Sequence, residues 1–447
     1  MSDGQVAEAR PEFPPPVKAT IDWLQRRFGA YYKASPPPMP DRFTRREFGF
    51  ILWPERPGPP PFVRHRAYTD GPRFQDYLGW RGPHSIYYST AYYRAPGERR
   101  MVDKDWMGAE LIFDLDADHL VEAEAAKAQG REMPLADQLA LVKRQFVRLL
   151  DEFLFGDLGL GENDLFITFS GGRGYHAHVT HRAYQALDAK ARREIVDYVT
   201  GKVPAKRGSD QPDVTPYLQR EAVQVRGQGK FAKAEHAYRL APADAPGWPG
   251  RLTRTLAEMV QEHVIDAGPA AGRSWLLGLD GVGPKTADGF LAKMERMGER
   301  SVMDLLVAGR ISHRGDPLFA IAEHALTSAA LPLARGETDE PVTADVKRLI
   351  RLPGSLHGKT GLRVVTMSRS ELDDFEPLRD AVAFDLDQPV GIVPRFDQEV
   401  SLGGERVAVT AGDEVEVPEP HAVFWCSRQA GSLAGPPGGP TAAPGHG

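Results

Sequence analysis

The sequence predicts an α/β (α+β) protein in which a mixed-sheet core is interrupted by a helical insertion. Three observations predict it. Apolar strand-like runs at 111–116 and 165–169 enclose a stretch, 135–155, whose apolar residues recur at helical spacing. Mixed strand and helix patterns return from 339 onward. Between the two blocks, residues 251–333 read as helix throughout, with no convincing strand. The expected organisation is a disordered tail at 1–17, a discontinuous core over 18–205 and 334–429, a mainly helical insertion over 206–333, and a second disordered tail at 430–447.

In order, Ile21, Trp23, Leu24, Phe28, Tyr31 and Tyr32 mark a helix that prolines 36–38 close. Residues 45–52 and 63–66 read as strands around a Pro-rich turn, and 85–93 as an aromatic strand. After the strand at 165–169 come a glycine-rich turn at 170–176, a short strand at 178–179 and an amphipathic helix at 187–199. The pattern dissolves over 201–250 into Gly, Pro, Lys, Asp and Gln, which marks a boundary or an irregular excursion. Past 339, the residues after Asp345 suggest a helix at 346–352, then a tight loop, a strand at 362–367, and hairpin strands over 405–424.

Composition excludes several classes. Of 447 residues, 41% are hydrophobic and 26% charged, which is ordinary for a globular protein, and the net charge of −6 does not announce nucleic acid. A lone cysteine, Cys426, rules out an internal disulfide and a cysteine-based zinc site, and reads as a buried small residue. No His/Asp/Glu cluster suggests zinc held by other means. The N-terminus lacks the apolar segment of a signal peptide, and no run of about 18 apolar residues is present, so no membrane association is expected and the compartment is read as cytoplasmic.

The chemistry centres on Asp114 and Asp116. Alternation along a strand puts both carboxylates on one face and Leu115 on the other. Two adjacent carboxylates repel, and a shared divalent cation is what usually offsets that cost. The pair at Asp385 and Asp387 lacks the apolar lead-in and reads as surface. A phosphatase of the haloacid-dehalogenase type also begins Asp-x-Asp, but continues with Gly-Thr where this chain has Ala117-Asp118.

Glycines 171, 172 and 174 let backbone approach a ligand, while Ser170, Arg173 and His176 offer phosphate donors; the bland alternative is a plain glycine hairpin. A third block gathers Lys347, Arg348, Arg351, His357, Lys359 and Arg363 around tight glycine turns, and can be read as a triphosphate grip or as a solvated basic face. Asp345 sits where the expected helix begins, so capping explains it; Asp339 has no such explanation and is the favoured third carboxylate. Arg64-His65-Arg66 could line a template path or form a solvated charge run. Tyr87, Tyr88, Tyr92 and Tyr93 divide between base stacking and packing.

FDLDADH, FSGGRGYHAHV and DEPVTADVKRLIRLPGSLHGKTGL together resemble the small catalytic subunit of archaeal and eukaryotic-type DNA primase, with the archaeal members nearest in the last block. Weaker echoes are RREFGF, YYSTAYY and VPEPHAVFW. The resemblance implies that Asp114, Asp116 and Asp339 hold Mg or Mn in a two-metal site. It implies that Ser170, Arg173 and His176 hold the incoming nucleotide's phosphates, and that Arg351 and His357 contact the same triphosphate. It implies primer synthesis, RNA or DNA, from nucleoside triphosphates on single-stranded DNA template, beside a larger primase subunit. There are two departures: no cysteine zinc knuckle, and Gly172 where some relatives carry a second arginine, so that phosphate grip is weaker or supplied otherwise. The rivals are a partner-independent primase-polymerase or repair polymerase of the same superfamily, and a non-catalytic nucleic-acid-binding subunit, against which the intact acidic pair argues.

Gly281-Val-Gly283-Pro-Lys285 resembles the turn of a helix-hairpin-helix, which would aim backbone N–H groups at a DNA phosphate, with Lys285 adding charge. The alternative is a tight turn between two packed helices.

Overall fold

The computed structural model describes residues 14–117, 120, 133–205, 212–226 and 233–435. Residues 1–13 and 436–447 of the expected tails, and Asp118 and His119 of the acidic motif, lie outside the described residues. The fold is α+β. Met1–Phe146, Gly161–Arg193 and Asp339–Gly447 form one compact unit, and Val147–Leu160 with Glu194–Thr338 the other.

Two four-stranded sheets dominate the first unit. One runs in the order Val365–Met367, Leu165–Phe169, Gly174–Val179, Leu111–Asp116; the other in the order Leu349–Arg351, Ser85–Ser89, Phe48–Ile51, Phe62–Arg66. All their pairings are antiparallel, so these sheets are not mixed. Connectivity is the reason: the brief turn at 170–173 can return a strand only antiparallel. Period-two alternation then sorts the faces. Leu115 is 2% exposed, on the side where Tyr175 stacks on Phe146 with ring centroids 5.3 Å apart. The helix Leu135–Arg148 brings Phe146 there, with Leu139 and Val142 on the same stripe. Each such fully buried side chain contributes roughly 1.5–3 kcal/mol. Asp114 and Asp116 are left to the other face.

Several sequence expectations give way here. The first helix is Pro15–Ala34 and begins inside the expected tail, with proline at its first turn, where the missing N–H costs nothing. Residues 346–352 form no helix. The helix is Glu340–Ala344, and Leu349–Arg351 is a strand, pairing Arg351 with Tyr87. Sheet pairing has overridden local helix propensity. The hairpin expected over 405–424 is displaced: Glu405–Val409 folds back on Gln398–Leu402 through Gly403 and Gly404, both at positive φ. Glu419–Ser427 is a helix. Gly431–Leu433, expected in the tail, is a strand against Pro389–Pro394, and Leu433 N–H donates to Thr20 Oγ at 3.0 Å. The expected strand at 178–179 begins earlier, at Gly174. Cys426 is buried, and burial pushes its thiol up to about 12.

The second unit is largely helical, with Gly247–Val260, Pro269–Gly278, Pro284–Met297, Glu299–Val307 and Pro317–Ala325 as its main helices. It also holds a three-stranded antiparallel sheet, ordered Arg310–Ser312, Lys233–Arg239, Gln219–Arg226, which the sequence reading misses. Those segments are too polar to show an apolar alternation. Arg251, 2% exposed, donates to Glu152 and Asp157 at 2.8 Å each and lies 3.9 Å over the Phe153 ring. Pro317–Ala334 is the one described helical stretch long and apolar enough, by mean hydropathy of 1.2, to cross a membrane; it is interrupted by Glu323, His324, Thr327 and Ser328, and half of it is buried within the fold.

Candidate active site

The acid strand, Leu111–Asp116, pairs Asp114 with His176 and Asp116 with Gly174, and Thr168 lies across from His176 on the next strand. Asp114, His176 and Thr168 therefore form one row across three strands, on the face opposite Leu115. His176 Nε2 is 3.4 Å from Asp114 Oδ1, and its Nδ1 is 3.3 Å from Thr168 Oγ1. Asp339 arrives from a distant segment: its N–H donates to the Asp114 carbonyl at 2.9 Å. It opens the helix Glu340–Ala344, but its carboxylate caps no N–H, so helix capping does not consume it. Asp345 closes that helix, is exposed, and accepts from Lys347 N–H at 2.8 Å. The capping explanation offered for Asp345 is thus misplaced by one helix.

The glycine turn presents Ser170 and Arg173. Ser170 Oγ accepts the N–H groups of Gly172 and Gly174, each at 3.2 Å, which leaves its own O–H to donate elsewhere. Gly171 is left-handed at φ 74°, and a Cβ there would stand 2.7 Å from that of His357. At Gly172 a Cβ would be 3.0 Å from His357 Nε2. Missing side chains at these two positions admit the His357 loop. Thr360 then stitches the blocks together, its hydroxyl donating to the Gly171 carbonyl at 2.6 Å and standing 3.2 Å from His357 Nδ1.

Asp114, Asp116, Ser170, Arg173, His176, Arg351 and His357 all line one cavity of about 1030 Å³. Asp339 reaches Asp114 without lining that cavity. Burial, then the charges of Asp116 and Asp339, push the Asp114 carboxyl up to about 7, against the opposing pull of Arg348 and Arg351. Burial holds both His176 and His357 well below the ordinary imidazole value, with nearby cations adding to the effect, so both rings are neutral. The Arg351 guanidinium lies 5.2 Å over the Tyr87 ring, and its Nη1 is buried without a hydrogen-bond partner. Arg173 Nε is 3.8 Å from Asp116.

Among the described residues, no three His, Cys, Asp or Glu side chains converge tightly enough to cage a metal by themselves. The donor set still suits magnesium or manganese, hard ions that one or two carboxylates hold while water and phosphate oxygens complete the shell. Crowded, partly buried carboxylates are the chemistry such an ion relieves.

A second set of residues escapes sequence reasoning. Behind His176 runs a buried chain: Thr168 Oγ1 is 3.4 Å from His178 Nε2, and His178 Nδ1 is 3.3 Å from Glu110 Oε2. Glu110 pairs with Arg46, and Tyr92 O–H donates to it at 3.2 Å. Arg46 lies 4.4 Å from the centre of the Tyr92 ring and 4.9 Å from that of Tyr88. Burial alone would raise the Glu110 carboxyl, but Arg46 and His178 overcome it and hold it at about 2. Period two was the available signal, since Glu110 shares parity with Asp114 and His178 with His176.

The tyrosines divide accordingly. Tyr87 lines the cavity, whereas Tyr88, Tyr92 and Tyr93 are buried. Arg64 Nε and His65 N–H both donate to buried Glu47 at 3.1 Å, so these residues of the 64–66 run serve an internal acid rather than lining the cavity. Gly281, Gly283 and Lys285 belong to the second unit. Residues 279–283 join the helices Pro269–Gly278 and Pro284–Met297, Gly281 has φ 86°, Gly283 is the N-cap, and Lys285 is exposed.

The sequence that builds this cavity also matches a known family model. The model described as DNA primase small subunit covers residues 113–369. Over 413 residues the chain is 38% identical to the DNA primase small subunit PriS of Methanothrix thermoacetophila, covering 92% of this chain and 98% of that one. It is 36% identical to the namesake from Methanocorpusculum labreanum, covering 93% and 99%, and 35% identical to that from Halobacterium salinarum, covering 92% and 97%. The chain belongs to the DNA primase small subunit family.

Proposed function

We propose that this chain is the catalytic subunit of a DNA primase that synthesises short RNA or DNA primers on single-stranded DNA from nucleoside triphosphates, working with a larger subunit. The observation that supports it most is the convergence of residues from three distant segments on one cavity: Asp114 and Asp116, Ser170 to His176, and Arg351 with His357. Asp114, Asp116 and Asp339 would hold Mg or Mn. Those ions, when bound, supply positive charge to the attacking 3′-hydroxyl and to the leaving pyrophosphate. The chain's own groups do the rest. Arg173, Arg348 and Arg351 neutralise the triphosphate, and Ser170 donates its hydroxyl to a phosphate oxygen. Neutral His357 acts as a directional donor, wedged against the glycine turn.

The test is label incorporation on single-stranded template with Mg or Mn. Wild-type chain with its large subunit is expected to make primers, and persistent failure on every template would favour a binding-only role. Arg351→Ala is expected to raise the nucleotide KM by roughly 10- to 100-fold, the loss of one or two charge-assisted hydrogen bonds. An unchanged KM would remove Arg351 from the site.

The turn at 279–287 is proposed to hold a DNA phosphate through backbone N–H groups and Lys285. Lys285→Glu should weaken DNA binding and lower the salt slope by about one. A slope identical to wild type would leave the turn as helix packing.

A further inference from the structure

Arg428 is not among the residues the sequence points to, yet it lies on the wall of the cavity with Ser427 and Gln429. It follows the last turn of the helix Glu419–Ser427. That helix is firmly seated. Glu419, 1% exposed, pairs with Arg27, and His421 Nε2 is 3.1 Å from the Glu405 carbonyl. Gly361, at φ 70°, lets Val423 pack where a side chain would collide. The chain then turns at Gln429, φ 59°, and Ala430 N–H donates to the Trp425 carbonyl at 2.9 Å. Arg428 is held in turn: its guanidinium lies 3.9 Å from the centre of the Phe424 ring, and its Nε donates to the Lys359 carbonyl at 3.3 Å.

A cation at a helix C-terminus is favoured by the helix dipole alone. Two observations go beyond that. Among the described residues Arg428 makes no ion pair, although Arg173 stands near enough to help depress its pKa, second only to desolvation. Arg348, Arg351 and Lys359, on the same cavity wall, make none either. Asp114 and Asp116 act on Arg348, Arg351 and Arg173, whereas Arg428 has no ion-pair partner beside it and a neighbouring cation, a costly placement unless an anion is shared between them. Second, Ser427 Oγ is buried on the same wall without a hydrogen-bond partner, a cost that a bound acceptor would cancel.

We infer that Arg428 and Ser427 form a further phosphate-binding wall, contributed by the C-terminal helix, that takes the terminal phosphates of the incoming nucleoside triphosphate. Arg173 is 3.8 Å from Asp116 and also near enough to Arg428 to help lower its pKa, so Arg428 would take the phosphates at the end away from the reacting one. It would supply the second cation that Gly172 does not. The inference rests on the reading that the cavity takes a triphosphate.

The experiment uses the full chain with its large subunit and compares Arg428→Ala, Arg428→Lys and Arg351→Ala. Nucleotide KM, kcat and inhibition by inorganic pyrophosphate are measured, with a melting curve for each variant. Arg428→Ala is expected to raise KM and the pyrophosphate inhibition constant about tenfold, with kcat changed less than about threefold. Arg428→Lys should recover part of both, because charge is kept and the fork is lost. Unchanged KM and pyrophosphate inhibition in Arg428→Ala, with only a lower Tm, would make Arg428 a helix cap and overturn the inference. If Arg351→Ala alone raises KM, only the role of Arg428 falls. If neither variant does, the triphosphate reading of the cavity falls with it.

Discussion

Asp114→Ala is expected to cut nucleotide incorporation by about 10³-fold or more, since several kcal/mol of metal-derived stabilisation would be lost. Asp116→Ala should behave alike. Melting temperature should hold or rise, because burial and two neighbouring carboxylates already disfavour the Asp114 charge. Asp339→Asn should be far more damaging than Asp345→Asn: the Asp339 charge acts on Asp114, while Asp345 is exposed and occupied with Lys347 N–H. Template-directed labelling with manganese, read beside thermal melts, checks all four. A tenth of wild-type activity in Asp114→Ala, or Asp345→Asn proving the worse of its pair, would dismantle the acid assignment.

The second large effect concerns stability. Arg46→Met should destabilise the fold by roughly 3–5 kcal/mol, because it strands Glu110 as an uncompensated buried charge. Arg46 and Glu110 are each 1% exposed, so solvent cannot replace the partner. The double variant Arg46→Met with Glu110→Leu should regain much of the loss, a coupling that urea unfolding of all four forms would reveal. Additive losses would refute the pairing argument. The pH sign follows from the depressed carboxyl. Glu110 titrates at about 2 when folded against an ordinary 4.5, so its stabilising share is complete above that ordinary value and disappears as pH falls towards 2.

The sequence made the candidate-site blocks legible because their signals are local. Asp-x-Asp after an apolar run needs only strand alternation, and the glycine turn needs only composition. The convergence of Arg351 and His357 on that turn is tertiary, and came from family resemblance rather than periodicity. Residues 346–352 misled because Leu349, Ile350 and Arg351 are as compatible with helix as with the strand that Ser85–Ser89 imposes. Arg428 was hidden for a similar reason: the helix ahead of it is apolar nearly all round, so no amphipathic stripe marked its end. The strands Gln219–Arg226 and Lys233–Arg239 were hidden by polarity.

The first unit breaks at Arg193 and resumes at Asp339, and Arg193 Nε bonds to Glu340 Oε1 at 3.2 Å. The two ends of the excursion are therefore clasped at one doorway, one residue from Asp339. Lengthening or trimming the intervening polypeptide would leave the Asp339 N–H on the Asp114 carbonyl undisturbed. Evolution could then treat that stretch as an exchangeable cassette, resized among lineages while the reaction centre keeps its dimensions.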